Sequence, residues 1–303
     1  MRHHSLPIGV LAMGLLATAT SAQAANESWV SGNGTDAGTC PRTAPCRTFQ
    51  FAHDQTNNNG SINVLTDGNF GPLSITKPIS VVADGVEAVI NTASNSSAIQ
   101  VNASNNAIVS LRGLTIDLRG TSNTAISFTT GGTLYVRDTV IRKASGGIYV
   151  GPSSPVEVYV SDTVISEISG TAGIFVQPQG GGSVKAVFDR VRVENGGHAG
   201  FLIDVSGLLH VIATIRDSVA AGNAESGIAV NGNPNVRVLV DRSTSINNGT
   251  IGVSGSGGAL YIGDSVVSGN GTGLSGSGII SYETNQVDGN GTDGTPGGTA
   301  AMK

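Results

Sequence analysis

Cys40 and Cys46 are the only two cysteines of this 303-residue chain, and they flank the loop CPRTAPC. A zinc site would want four ligands, and no Cys or His cluster lies nearby. A nucleophilic thiol would want a base, and His53 is the only candidate close in sequence. A disulfide needs only an oxidising compartment, and that is the expectation. Acid–base chemistry on a sugar needs two suitably spaced acids or a positioned base. Glu194 with His198, in ENGGHAG, is the best such couple, against the plainer reading of His198 as a turn or surface residue. No metal site and no cofactor is expected.

Paired charges recur along the chain. Aligning LYVRDTVI (134–141), VYVSDTVI (158–165), AVFDRVRV (186–193), ATIRDSVA (213–220), VLVDRSTS (238–245) and LYIGDSVV (260–267) gives one column of Arg137, Ser161, Asp189, Arg216, Asp241 and Gly263. The next column is Asp138, Asp162, Arg190, Asp217, Arg242 and Asp264. The dipeptide swaps from RD to DR, so stacked neighbours are mostly of opposite sign. Asp117 aligns with Arg142, Lys143 with Glu167, and Glu157 with Lys185. Opposite charges one strand apart stabilise by roughly 0.2–1 kcal/mol, so structural ladders are preferred over a catalytic constellation.

The aromatics form a third set. Strand alternation puts Leu134 and Val136 on one face and Tyr135 on the other, and likewise Val158 and Val160 against Tyr159. Tyr135 and Tyr159 are therefore expected to stack outward, with Tyr261 further along the column. Tyr149 and Phe175 form a second outward pair. Tyr135, Tyr159, Tyr149 and Phe175 are the candidate ligand-binding residues, since outward aromatic rows can bind sugar rings face-on. The competing reading is that they only cover one another.

The elements that must carry these columns are short strands in a repeat. Equivalent positions from Gly113 to Thr284 recur at a mean step of about 24 residues. GGIYV (146–150), AGIFV (172–176), AGFLI (199–203) and SGIAV (226–230) recur in a second register, with weaker copies at 251–255 and 272–276. Each has a glycine at its entry (Gly147, Gly173, Gly200, Gly227, Gly252, Gly273), read as permitting a positive φ turn. Asn223, Asn248, Asn270 and Asn290 form another column, suited to side-chain bonding between rungs. With no helical period, and with 44 glycines and 12% charged residues, this predicts a parallel β-solenoid of eight or nine rungs. Ile148, Val150, Ile174, Val176, Ile203, Ile228 and Val230 should line its core.

The ends differ from the repeat. Residues 1–24, with Arg2, an apolar run from Leu6 to Ala19 and Ala22-Gln23-Ala24, read as a secretory signal peptide. The alternative is an uncleaved anchor. No other stretch is long and apolar enough to span a bilayer. Residues 25–72 are expected as an N-terminal cap with the Cys pair and a short helix over TFQFAHDQT (48–56). Residues 73–290 should form the solenoid and 291–303 a flexible tail. A net charge of −5 argues against a nucleic-acid partner.

The start WVSGNGTDAGTCPRTAPCRTFQFAHDQT, then GSINVL, GPLSITKPISVVADG and the rungs, resembles secreted right-handed parallel β-helix proteins of the pectate-lyase-like superfamily. The ending SYETNQVDGNGTDGTP is like that of an uncharacterised bacterial branch. The resemblance covers nearly all of the chain after residue 24 and implies a single right-handed parallel β-helix, all-β in class. It implies no reaction, because the superfamily hosts lyases, hydrolases, esterases, epimerases, adhesins and inert repeats. The WiDH and RxPxxR patterns of its pectate lyases are absent. GGHAG only faintly echoes the Gly-His-Gly of its polygalacturonases, and the matching Asp-Asp pair is missing. The expectation is a secreted, periplasmic or cell-surface protein, non-catalytic, that binds or packs against extracellular polysaccharide. A polysaccharide-active enzyme with an atypical site, and a structural or adhesive rod, are the alternatives.

Overall fold

The structure, a computed structural model, describes residues 25–92, 96–121 and 123–301. The expected signal peptide lies outside the described residues. Strands account for nearly all regular structure, wound as a parallel β-solenoid of about eight turns with one short helix.

Each full rung contributes to three parallel ladders. The first runs through Ile108–Arg112, Thr133–Arg137, the leading half of Pro155–Ser166 and of Ser183–Glu194, His210–Arg216, Val236–Asp241 and Ala259–Gly263. The second takes Leu114–Asp117, Val140–Arg142, the trailing halves of the two long strands, Val219–Ala221, Thr244–Ile246 and Val266–Ser268. The third has nine strands, from Leu73–Ile75 to Thr272–Ser275. Its inward column stacks Ile126, Ile148, Ile174, Phe201, Ile228, Val253 and Leu274 in register. Every predicted core residue is buried. Truncating Ile174 to Ala should therefore cost about 2–5 kcal/mol.

The first ladder turns into the second at a single residue in the left-handed region. Asp138, Asp162, Arg190, Asp217, Arg242 and Asp264 have φ between 43° and 53°, and Gly113 stands at 75°. The second charge column is thus the solenoid's corner. The residue after it turns inward: Thr139, Thr163, Ser218, Ser243 and Ser265 are buried. Ser218 N–H donates to Ser243 Oγ (3.2 Å) and Ser243 N–H to Ser265 Oγ (3.1 Å), so these hydroxyls satisfy corner amides one rung away.

The glycine column corrects the expectation drawn from sequence. None of Gly147, Gly173, Gly200, Gly227, Gly252 or Gly273 has a positive φ. They are required for space. A Cβ on Gly173 would stand 2.2 Å from Val193 Cγ1, and one on Gly227 would stand 2.0 Å from Ser245 Oγ. Here the third ladder enters hard against the core side chains of the second.

The asparagine column is a buried hydrogen-bonded ladder. Nδ2 of Asn223 donates to Oδ1 of Asn248 (3.0 Å), Asn248 to Asn270 (2.9 Å) and Asn270 to Asn290 (2.9 Å). Asn290 donates in turn to Asp293 Oδ1 (2.9 Å), which ends the row.

The ladders extend beyond the bounds read from sequence. Ala25–Val30 pairs with Thr56–Val64, so the first ladder begins inside the segment expected as a cap. Gly298–Thr299 pairs with Ile280–Ser281, so residues 291–301 include a further short strand. Cys40 and Cys46 form the expected disulfide. Its loop pairs with the first strand's outer edge: Trp29 N–H donates to Cys40 O (2.7 Å) and Cys46 N–H to Trp29 O (2.8 Å). An edge that could recruit a foreign strand is thereby occupied. The helix Phe49–Gln55 starts at Thr48, whose Oγ1 accepts from Phe51 N–H, and buries Phe49, Ala52 and His53.

Candidate functional site

The outward column of the first ladder reads, rung by rung, Ser110, Tyr135, Tyr159, Val187, Thr214, Leu239 and Tyr261. Tyr135 and Tyr159 stack with centroids 5.0 Å apart and planes 14° apart. That separation is nearly the rung spacing of about 4.8 Å, so the ring faces point along the solenoid axis. Each ring spends one face on its partner. The remaining face of Tyr159 looks toward the smaller Val187 and Thr214.

This step in side-chain size makes a shallow groove, with Tyr159 as its wall and Val187 in its floor. Arg112, Arg137, Arg190 and Arg216 border it along one side with Asp138, Asp162 and Asp189. The expected charge ladder is largely present. Arg190 donates to both oxygens of Asp162 and also reaches Asp189, while Arg216 Nε meets Asp189 Oδ1 at 2.8 Å. Arg242 repeats the pattern with Asp217 and Asp241. Asp117 pairs with Arg142, and Glu157 with Lys185 at 3.7 Å. Lys143 and Glu167 do not pair. They occupy the next corner, both at a φ of 55°, the same conformation from which Asp162 and Arg190 do pair, and the structure gives no reason for the difference.

Arg137 differs from the other arginines of this groove. Among the described residues no carboxylate lies within ion-pair distance of it. Its guanidinium lies over the Tyr135 ring, 5.2 Å from the centroid, a cation–π contact, and its charge acts on Asp162 without a direct ion pair. Ser161, not an acid, is its neighbour on the next rung. Tyr159 O–H donates to Glu157 Oε2 (3.1 Å), which pushes its phenol above the ordinary range.

The third ladder carries the other aromatic pair. Tyr149 and Phe175 meet at 5.6 Å with planes 53° apart. Beyond Phe175 the column drops to Leu202, Ala229 and Ser254, giving a second groove bordered by His198 and Glu225. The couple expected between His198 and Glu194 does not form. Glu194 pairs with Arg192, while His198 Nδ1 lies 3.1 Å from Glu225 Oε1. Glu194 ends a second-ladder strand, and the corner that follows carries His198 away from it and beside the next rung's turn.

The chain superposes on the crystal structure of pectate lyase Pel9A with a TM-score of 0.59, at 14% identity over 86% of this chain and 78% of that one. The chain has the pectate-lyase fold. Geobacillus virus E2 ORF18 aligns at a TM-score of 0.49, with 13% identity over 90% of this chain and 61% of that one. No protein-family profile and no curated protein matches the sequence. The pectate-lyase fold accounts for the ladders and the core. The grooves must be read from this chain's own residues.

Four contributors escaped the sequence reading. Arg112 precedes the charge column by one rung, and Tyr282 stacks on Tyr261 at 5.9 Å. Glu225 is the partner of His198, and Asp293 ends the asparagine row. Arg112 was legible, since VSLRGLTI aligns with the later rungs. The other three sit in turns of variable length.

Proposed function

We propose that this chain is an exported, non-catalytic β-helix protein that binds a linear extracellular polysaccharide along its first ladder. The observation that carries the reading is Arg137, a guanidinium without a direct ion pair, held over the Tyr135–Tyr159 stack at the edge of a groove. Sugars suit such a surface, because tyrosine offers both an apolar ring and a hydroxyl. The arginine favours a chain bearing carboxylates or sulfates. Pel9A is named as a pectate lyase, and pectate is an anionic polysaccharide. The disulfide suits an oxidising compartment. Among the described residues no helix is long and apolar enough to cross a membrane.

The test is retention on immobilised polygalacturonate, xylan and cellulose, with polyglutamate as a sugar-free polyanion. Binding to polygalacturonate above the others supports the reading. Equal retention on polyglutamate, or retention on none, overturns it.

A second reading, a polysaccharide-active enzyme, rests on His198 and Glu225. An ionised carboxylate can only accept, so it would hold the proton on His198 Nδ1 and leave Nε2 as the base in the groove that Phe175 also lines. Ultraviolet absorbance of unsaturated uronates, read in the same assay and lost in His198→Ala, would favour a lyase.

A further inference from the structure

The first ladder carries a second aromatic pair that lies outside the groove. Tyr261 occupies the same outward column as Tyr159, four rungs further on, with Val187, Thr214 and Leu239 between them. Tyr282 stands diagonally behind it, in line with Gly263, because Tyr261 is paired with Ile280. The two rings are near parallel, with planes 23° apart and centroids 5.9 Å apart. Gly263 makes room for this stack: a Cβ there would stand 3.0 Å from Tyr282 Cδ2. The charge column therefore ends in a glycine where the second tyrosine pair begins.

Tyr282 covers one face of Tyr261. The other looks back along the column toward Leu239 and Tyr159. Two aromatic walls thus bracket a run of three smaller rungs, a distance of about 19 Å at the usual strand spacing. The intervening side chains are an aliphatic, a threonine and an aliphatic, so the floor is apolar without being bulky. Asp189, Arg216 and Asp241 flank it on one side, with Arg216 bonded to Asp189, and Lys185, Ile212 and Arg237 flank it on the other, with Lys185 paired to Glu157.

We propose that Tyr261 and Tyr282 form a second subsite for the same polysaccharide, so that the ligand lies along the solenoid axis and crosses the outward ring edges and hydroxyls of both tyrosine pairs. This rests on the polysaccharide-binding reading and adds to it a direction and a minimum length. The rungs lie about 4.8 Å apart, close to the length of one pyranose unit. Reaching from Tyr159 to Tyr261 therefore takes four or more sugar units, and a dimer engages one pair only. Linking two weak contacts through one chain raises affinity without any new contact.

The experiment measures binding of galacturonate dimer and hexamer by calorimetry to the full chain and to Tyr261→Ala/Tyr282→Ala, with circular dichroism confirming that the variant is folded. The wild type should bind the hexamer at least tenfold more tightly than the dimer. The double variant should bind the hexamer about as weakly as the wild type binds the dimer. Equal affinity of the wild type for dimer and hexamer overturns the second subsite without needing any variant. So does a length gain that survives loss of both tyrosines. If neither oligomer binds and polygalacturonate is not retained, the underlying polysaccharide reading has failed, and the subsite with it.

Discussion

Arg190 and Asp162 lie 28 residues apart in sequence and one rung apart in space, joined by two hydrogen bonds of 2.6 and 2.9 Å. Both occupy the left-handed corner, at φ of 53° and 51°. A left-handed conformation costs a non-glycine residue about 1–2 kcal/mol. The side chains projecting from these corners meet across the rung interval, which explains why charged residues recur where glycine would fit the backbone better.

The same geometry sets the response to reversing one charge. Arg216→Asp would place three acids, Asp189, position 216 and Asp241, on successive rungs, with Asp189 largely buried. The melting temperature should fall, and much of the loss should return as salt shortens the Debye length from about 30 Å to about 3 Å. A salt-independent loss would contradict the electrostatic account of the column.

Removal of a link from the asparagine row should be more severe. Asn248 Oδ1 accepts from both the backbone and the side chain of Asn223, and its Nδ2 donates to Asn270. Asn248→Ala strands several buried groups at about 1–3 kcal/mol each. Chemical denaturation should show a loss of at least about 2 kcal/mol, against a smaller one for Asn290→Ala at the half-exposed end of the row.

The glycine column predicts a steric penalty without a backbone one. Gly227→Ala should cost about 1–3 kcal/mol through overpacking, because its Cβ would collide with Ser245 Oγ and crowd Asn248. Gly298→Ala, with nothing within 4 Å, should be near neutral. Equal effects would remove the packing explanation.

Acid should act in two stages. Burial holds the His53 imidazole below its ordinary pKa, although Asp54 partly opposes this. Its Nε2 accepts from Thr76 N–H, which protonation would break. A group with a lowered cationic pKa contributes stability above its unfolded value of about 6.5, lost as pH falls through the folded value. Asp162 is held below the usual carboxylate range by the bonds from Arg190, against a smaller effect of burial. Its contribution is complete above about pH 3.9 and disappears as pH falls through the lower folded value. Thermal melts across pH should lose the upper stage in His53→Gln and weaken the lower one in Arg190→Gln.

Much of this architecture was legible because the repeat aligns residues that truly stack. The core at Ile148 and Ile174, the Tyr135–Tyr159 pair and most of the charge columns follow from alternation and rung length alone. What escaped depended on the third dimension of the corners. Sequence could place glycines at the entry to each third-ladder strand, but it assigned them to φ, whereas Val193 and Ser245 show the demand is for space. His198 could be seen as a possible base, but its partner Glu225 belongs to the next rung's turn, and turn length varies from rung to rung. Ring orientation was also hidden: outward position was read correctly, but the 14° stack turns the tyrosine faces along the axis.

The central claim is that the Tyr135–Tyr159 stack and its neighbouring arginine hold a polysaccharide. Its most direct test is the affinity of Tyr135→Ala/Tyr159→Ala for polygalacturonate, measured beside the wild type and Glu194→Gln under conditions where circular dichroism shows the β-helix intact. The account predicts at least a tenfold loss in the tyrosine variant and an unchanged affinity in Glu194→Gln. Affinity unaltered by loss of both tyrosines would contradict it and leave a plain structural rod as the better description.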